Sequence, residues 1–492
     1  MSPEGDKLCR DIHGVLLPGF NGATPPPWLW AAAEQGLAGV LLFGHNTGSP
    51  EHTAEITAQL HHRAPDLIIS SDEEGGDVTR VQMGTGSFLP GACALGEVDD
   101  VALTRRAAVA QGHLMRAVGV DLPLTPVLDV ASQPANPVIG VRSFGPDPYL
   151  VARHGVATVR GLQEAGVAAC AKHFPGHGDT DVDSHLALPR LEVGEELLRG
   201  RDLPPFTEAI SAGLDTVMTG HLVVPALGEL PASLEPKVAA LLRRLGHNGP
   251  IVTDALDMAA LHADDGAGPG TTAAELVGIA AVRALAGGAD LLCLGSTPDR
   301  DDAALFQTVY AGIRRAVQEG RLDAAALARS AARNRALAAG IRSRQARTEA
   351  PDLLTALTDL EHVGARVAAA AVRTTGRVRL ARDDALVDLR AGVNIAAGPR
   401  AGAVVDLLTA RAGLVPVAAA ELPSWLSDHP GKGVALLTRG PADAVAPVLA
   451  RAPHAVVIHL GVPGSAPRAP NLVLAHGSAV ANGREILART AG

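Results

Sequence analysis

The chain has 492 residues, 47% hydrophobic and 19% charged, enough for roughly two or three domains with large cores. Its formal net charge of -10 disfavours nucleic acid and anionic membrane as partners, because neither is attracted to such a surface. No apolar run reaches membrane-spanning length, and Cys9, Cys93, Cys170 and Cys293 lack paired spacing, so they read as reduced, buried thiols. The opening Met1-Ser2-Pro3-Glu4-Gly5-Asp6-Lys7 lacks the apolar core of a signal peptide, so the cytoplasm is the expected location. Nothing in the sequence requires an oligomer, and a monomer is expected.

Up to about residue 300, apolar runs at 12–17, 38–43, 67–70, 121–128, 168–172, 216–219, 251–254 and 290–294 alternate with helix-like stretches such as 101–118 and 276–286. Alternating β and α of this length implies an α/β fold with a parallel sheet. Eight repeats suggest a (β/α)8 TIM-type barrel, and a doubly wound open sheet shares the alternation. The polar motifs favour the barrel. Asp72, Asp129, Lys172/His173, His221 and Asp254 all fall at the C-terminal ends of different runs, and only a barrel converges all of those ends on one mouth.

Residues 303–343 form an alanine-rich helical region. Its Arg314, Arg315, Arg329, Arg333 and Arg335 are expected to solvate the outer face. The pattern lapses at 345–352, where Pro351 marks a linker. The reading is a catalytic barrel over 1–340, a linker over 341–356 and a smaller α/β sandwich over 357–492. In the last unit a helical stretch at 360–372 precedes strands at 387–389, 393–397, 434–437, 455–459 and 471–475, with helices at 403–412 and 442–452. Gly398-Pro399-Arg400-Ala401-Gly402 follows a strand, but its glycine spacing makes no dinucleotide fingerprint, and no cofactor is expected.

The densest chemistry lies in Lys172-His173-Phe174-Pro175-Gly176-His177-Gly178-Asp179-Thr180-Asp181-Val182-Asp183-Ser184-His185. A buried strand delivers Lys172 and His173 at its end, and a loop broken by Pro and Gly carries Asp183 and His185 beyond it. Three readings compete for it. One is a solvated polar loop. Another is a metal site, with His173, His177 and Asp179 or His185 as ligands. The third is acid–base chemistry, in which Asp183 fixes the tautomer of His185 and holds its pKa near working pH. Aromatics are only 2% of the chain. Those near the motifs, Phe144, Phe174 and the Trp28/Trp30 pair, are expected to pack in cores rather than stack on a ligand.

Read whole, this stretch resembles the signature of family 3 glycoside hydrolases, in the form found in their β-N-acetylhexosaminidase branch. Other segments agree with the family in order. They are Ser71-Asp72-Glu73-Glu74-Gly75-Gly76, Pro126-Val127-Leu128-Asp129, Asn136 to Gly145, Val217-Met218-Thr219-Gly220-His221 and Val252-Thr253-Asp254-Ala255-Leu256-Asp257-Met258. Two positions depart from it. Asp77 stands where arginine is common, leaving one local ion pair in doubt, and Thr253 stands where serine is usual.

The resemblance implies a barrel followed by a smaller α/β domain, no metal and no cofactor. It implies Asp254 as nucleophile, His185 as acid/base tuned by Asp183, and Asp72, Arg80, Arg142, Lys172, His173 and Met218 as substrate-binding residues. It implies a retaining, exo-acting hydrolase of terminal β-linked N-acetylglucosamine, acting on a small or oligosaccharide substrate, with a place in cell wall recycling. A neutral histidine would not repel an anionic acceptor, so a phosphorylase remains the nearest alternative, and a β-glucosidase of the same family is another. A sugar-binding protein without turnover would have lost Asp254 or His185, and both are present.

Overall fold

Apolar runs bounded by glycine and proline become short strands, and several of the helices between them start on a residue whose side chain accepts a backbone hydrogen bond. Ser49, Asp100, Asp147, Asp301, Asp323 and Asp352 cap helices with their side chains, and Thr272 with Glu275 makes a reciprocal capping box. The computed structural model describes residues 3–184, 186–261, 271–390, 403–440 and 442–491. His185, the expected strand at 393–397 and the stretch 398–402 lie outside the described residues.

The N-terminal part is TIM-like. Its strands are β1 (Leu16–Leu17), β2 (Gly39–Leu42), β3 (Ile68–Ser71), β4 (Leu122–Pro123), β5 (Cys170–Phe174), β6 (Thr216–Thr219), β7 (Ile251–Thr253) and β8 (Leu292–Cys293). Parallel ladders join β2 to β3, β3 to β4, β5 to β6, β6 to β7 and β8 to β1. Parallel bridges Val127–Lys172 and Val252–Leu291 span from β4 to β5 and from β7 to β8, and the Leu41 amide donates to the Pro18 carbonyl at 2.9 Å beside β1. β5 runs two residues beyond the expected end, so His173 and Phe174 belong to the strand.

Two layers of apolar side chains follow from the alternation of strand faces. One face packs on the surrounding helices. The other brings Leu17, Leu41, Ile68, Leu124, Cys170, Val252 and Cys293 together between the strands. The helix Ala324–Gln345 closes the floor of that inner layer with Leu337, Ala338 and Ile341.

The arginines of this closing helix correct the expectation of a purely solvated face. Arg333 Nη1 meets the buried Asp290 at 2.9 Å, Arg342 meets Asp121 at 2.5 Å, Arg344 meets Asp215 at 2.7 Å, and Arg335 lies 3.7 Å from Asp11. Arg314 and Arg315 are exposed as expected, and Arg329 makes only an exposed contact with Asp323. Asp121, Asp215 and Asp290 precede β4, β6 and β8, and each also accepts the backbone N–H of the preceding strand, from Ile69, Ala169 and Ile251. The same device therefore recurs before three alternate strands.

The helix Leu353–Ala371 buries Ala356, Leu360, Val367 and Ala371 in the large N-terminal core, and the expected boundary at 357 falls inside it. Beyond it lies a six-stranded sheet. Its strands are β9 (Arg373–Thr375), β10 (Ala385–Asp388), β11 (Val415–Pro416), β12 (Val434–Thr438), β13 (Val456–His459) and β14 (Leu472–Leu474), in the order β11-β10-β12-β13-β14-β9. All neighbours are parallel except β14 and β9. Apolar clusters cover both faces, as expected of a buried parallel sheet. The expected helix over 442–452 is two shorter turns, Ala442–Ala444 and Ala446–Leu449. Among the described residues no helix is long and apolar enough to cross a membrane.

Candidate active site

The C-terminal ends of the strands surround one cavity of about 470 Å³. Asp72, Arg80, Arg142, Lys172, His173, Met218 and Asp254 all line it. Asp183 is buried nearby at 8% exposure, and Ser184 beside it is on the wall.

Charge on the cavity floor is arranged around Glu74. Lys172 Nζ lies 2.7 Å from Asp72 Oδ1 and 2.7 Å from Glu74 Oε1. Arg142 donates to both Glu74 oxygens, each at 2.8 Å, and Arg80 stands 3.6 Å from Asp72. Burial would push both carboxyls up, but the cations outweigh it. Arg142 and Lys172 hold Glu74 far below the usual carboxylate range, and Lys172 and Arg80 lower Asp72. Burial would lower Lys172, yet Asp72 and Glu74 carry it up to about 12. The set therefore stays charged at neutral pH and presents fixed donors and acceptors to the cavity.

Asp129 organises the histidines. It is fully buried, with Oδ2 2.7 Å from His173 Nδ1. Its Oδ1 accepts the backbone N–H of His173 at 3.2 Å and of His177 at 2.7 Å. Arg142 Nη2 lies 3.3 Å from His173 Nε2. That geometry suits a neutral ring that donates through Nδ1 and keeps its Nε2 lone pair toward Arg142. His177 meets Thr180 Oγ1 at 2.6 Å and Ser184 Oγ at 3.2 Å, and burial pulls its pKa down to about 4. His177 is thus a neutral brace within the loop. Asn136 adds a second brace, donating to the His177 carbonyl at 2.9 Å. Gly178 passes so near Val130 that a Cβ would sit 1.9 Å from its carbonyl oxygen, so the loop stem can lie here only with glycine at that position.

The same stem is tied outward. Arg201 meets Asp179 at 2.6 Å and Asp202 at 3.0 Å. Asp202 is 1% exposed, and burial pushes its carboxyl up to about 6 against the pull of Arg201. Farther along the loop, the Asp183 carbonyl accepts the backbone N–H of Leu186 at 2.9 Å and of Ala187 at 3.1 Å, making a turn.

Asp254 follows β7 directly. Its Oδ1 accepts the Ala255 N–H at 2.8 Å, and its own N–H donates to the Thr219 carbonyl at 3.0 Å. Thr253, where serine is usual, accepts the Cys293 N–H at 3.1 Å through its hydroxyl and so helps hold β8. His221 lies behind the wall, between Ser233 Oγ at 2.7 Å and the Ala255 carbonyl at 2.9 Å, and braces the Asp254 turn. Asp257 meets Arg300 at 2.6 Å and accepts from the Thr297 hydroxyl at 3.0 Å.

The aromatics singled out in the sequence pack elsewhere. Phe174 stands edge-on to Phe206, Phe144 stacks on His154, Trp28 lies against Phe306, and Trp30 underlies Arg63. The ring on the cavity wall is Phe43, at the end of β2. The position after the glycine pair has a partner too: Asp77 meets Arg439 from the C-terminal unit.

The model of the glycosyl hydrolase family 3 N-terminal domain matches residues 31–337. β-Hexosaminidase A of Pseudoalteromonas piscicida is 34% identical over 284 residues, which are 53% of this chain and 46% of that protein. A β-hexosaminidase of Stenotrophomonas maltophilia strain K279a is 37% identical over 264 residues, 51% of this chain and 77% of that protein. One of Nitrosomonas eutropha is 37% identical over 233 residues, 46% of this chain and 66% of that protein. The matched region thus spans from under half to about three quarters of these relatives. The solved family 3 β-N-acetylglucosaminidase from Paenibacillus sp. strain FPU-7 is 29% identical and superposes with a TM-score of 0.82 over 98% of this chain and 96% of that one. The family match covers more than half of the chain and encloses every strand end that builds the cavity except β1, and the chain belongs to glycosyl hydrolase family 3.

Proposed function

We propose that this protein is a retaining, exo-acting β-N-acetylhexosaminidase, built on a (β/α)8 barrel, that releases terminal β-linked N-acetylglucosamine. One observation carries the reading. Asp254, on the turn after β7, opens into the same cavity as Asp72, Arg80, Arg142, Lys172 and His173. A fixed charged floor would grip one sugar ring by its hydroxyls, and a short carboxylate would stand at its anomeric carbon.

In this reading Asp254 attacks the anomeric carbon while His185 gives a proton to the departing oxygen. A glycosyl–aspartate ester results. His185 then takes a proton from water as that water attacks the same carbon and frees Asp254. Asp183 orients and tunes the imidazole. The role of His185 rests on its place in the sequence motif, two residues after Asp183. The names of the β-hexosaminidase relatives support N-acetylglucosamine over glucose. A cytoplasmic location and a part in cell wall recycling belong to the same proposal, and the four free, buried cysteines fit a reducing compartment.

The test is a panel of aryl β-glycosides differing at the sugar, assayed with and without phosphate and with a chelator. Preference for the N-acetylglucosaminide, independent of phosphate and chelator, is the expected result. A higher specificity constant on the plain glucoside would remove the sugar assignment. Release of a sugar phosphate when phosphate is added would make the enzyme a phosphorylase.

A further inference from the structure

The described residues on the cavity wall all belong to the N-terminal part, yet the C-terminal unit reaches one turn of it. After β3 the chain folds back on itself. The Glu74 N–H donates to the Val78 carbonyl at 3.0 Å, and the Val78 N–H donates to the Gly75 carbonyl at 3.3 Å. Gly76 at the tip has φ +61°, and a Cβ there would stand 2.6 Å from the Cα of Gly91, so the turn is pressed tightly onto its surroundings. One arm of the turn carries Asp72 and Glu74, and the other carries Val78 and Arg80. All four line the cavity.

Glu73 ties the arms together. Its carboxylate accepts from the Thr79 hydroxyl at 2.5 Å, the Arg80 N–H at 2.9 Å and the Val81 N–H at 3.1 Å. Asp77 stands at the tip, outside the cavity lining, and its side chain is 4% exposed. Its Oδ1 accepts the Ser478 N–H at 2.9 Å and the Ser478 hydroxyl at 2.6 Å, and its Oδ2 meets Arg439. Arg439 follows β12 directly and also reaches the Ser478 hydroxyl at 3.2 Å. The Val480 N–H donates to the Ser87 carbonyl at 2.9 Å beside this contact. The tip of the turn is therefore plugged into the C-terminal ends of the second sheet.

We propose that the C-terminal unit sets sugar affinity through Arg439, a positioning residue that clamps Asp77 and so fixes Asp72, Glu74 and Arg80 around the substrate. The sugar itself rests on the activity proposed above, and the clamp rests on the contacts just described. A buried carboxylate that loses such a guanidinium draws in water or swings out. Either movement displaces both arms of a turn this short.

The experiment compares the full-length protein with Arg439→Met, Arg439→Lys and Ser478→Ala by amide hydrogen exchange over residues 74–81 and by steady-state kinetics on an aryl β-N-acetylglucosaminide. Arg439→Met should speed exchange at Val78, Arg80 and Val81 while the floor of the barrel keeps its protection. KM should rise about tenfold with kcat within about twofold. Arg439→Lys should recover part of both, and Ser478→Ala should fall between Lys and wild type. If Arg439→Met fails to fold, Ser478→Ala decides by the same two measures. Unchanged exchange across the turn in the folded variants, or a fall in kcat at constant KM, overturns the clamp. A wild-type enzyme inactive on the N-acetylglucosaminide would sink the proposed activity, and the exchange data would still decide the clamp.

Discussion

Arg342 lays its guanidinium along both oxygens of Asp121, with Nη1 at 2.5 Å from Oδ1 and Nη2 at 3.1 Å from Oδ2. The two residues are 221 positions apart, and the pair fastens the closing helix to the base of β4. Asp121 is 1% exposed, so removing Arg342 takes the guanidinium from a buried charge that His61 and Gln345 still reach. Arg342→Ala should cost about 3 kcal/mol or more of unfolding free energy. Denaturant titration measures it, and a loss below about 1 kcal/mol would show that the pair is dispensable.

The same carboxylate sets part of the acid stability. Burial would raise its pKa, but hydrogen bonds from His61 and Arg342 bring it down to about 2. A folded pKa below the unfolded one adds stability at neutral pH that is lost as pH falls from about 4 through 2, here about 2 kcal/mol. Asp202 has the opposite sign. Its folded pKa, raised to about 6, makes the protein more stable as pH falls from 6 toward 4, by up to about 3 kcal/mol. Asp202→Asn should flatten the stability profile in that window and leave the stronger-acid limb in place. Urea midpoints at closely spaced pH values resolve the two.

Asp254→Asn should lower kcat at least about a thousandfold with the thermal midpoint shifted by less than about 4 °C. A 2-fluoro aryl glycoside with a good leaving group should label Asp254 in the wild type, read by peptide mass spectrometry. A label on Asp257 would transfer the nucleophile's role to the carboxylate that now meets Arg300.

His185→Ala should slow poor leaving groups far more than acidic phenols, because only the former need a proton. Azide should then restore the second step, since it attacks without a base. Asp183→Ala should be milder and should move the pH optimum. Equal slowing of all leaving groups would make His185 a binding residue instead.

Much of this molecule could be read from its sequence where the signal is local. Strand–helix alternation and the polar residues ending each apolar run are patterns within a few positions. Long-range partners were not legible. Arg333 and Arg342 look like surface charge until the fold brings Asp290 and Asp121 beneath them, and Asp77 looks like a lone departure until Arg439 arrives from the second unit. The aromatic rings near the motifs went to cores as expected, Phe174 outward onto Phe206, while Phe43, which no motif marks, reached the wall from β2. Short edge strands such as β9 and β11 carry too few residues for a periodic signal.

The four cysteines are all buried and unpaired. Burial raises the thiols of Cys93 and Cys170 to about 12 and about 11, and Cys293 higher still than the ordinary value. Buried thiols react slowly with thiol reagents, which attack thiolates within reach of solvent. Leu186, 69% exposed on the loop beyond Asp183, is a natural place for a single introduced cysteine. A dye attached through Leu186→Cys would report from that loop alone, with the wild-type sequence as its dark background and no native thiol to delete.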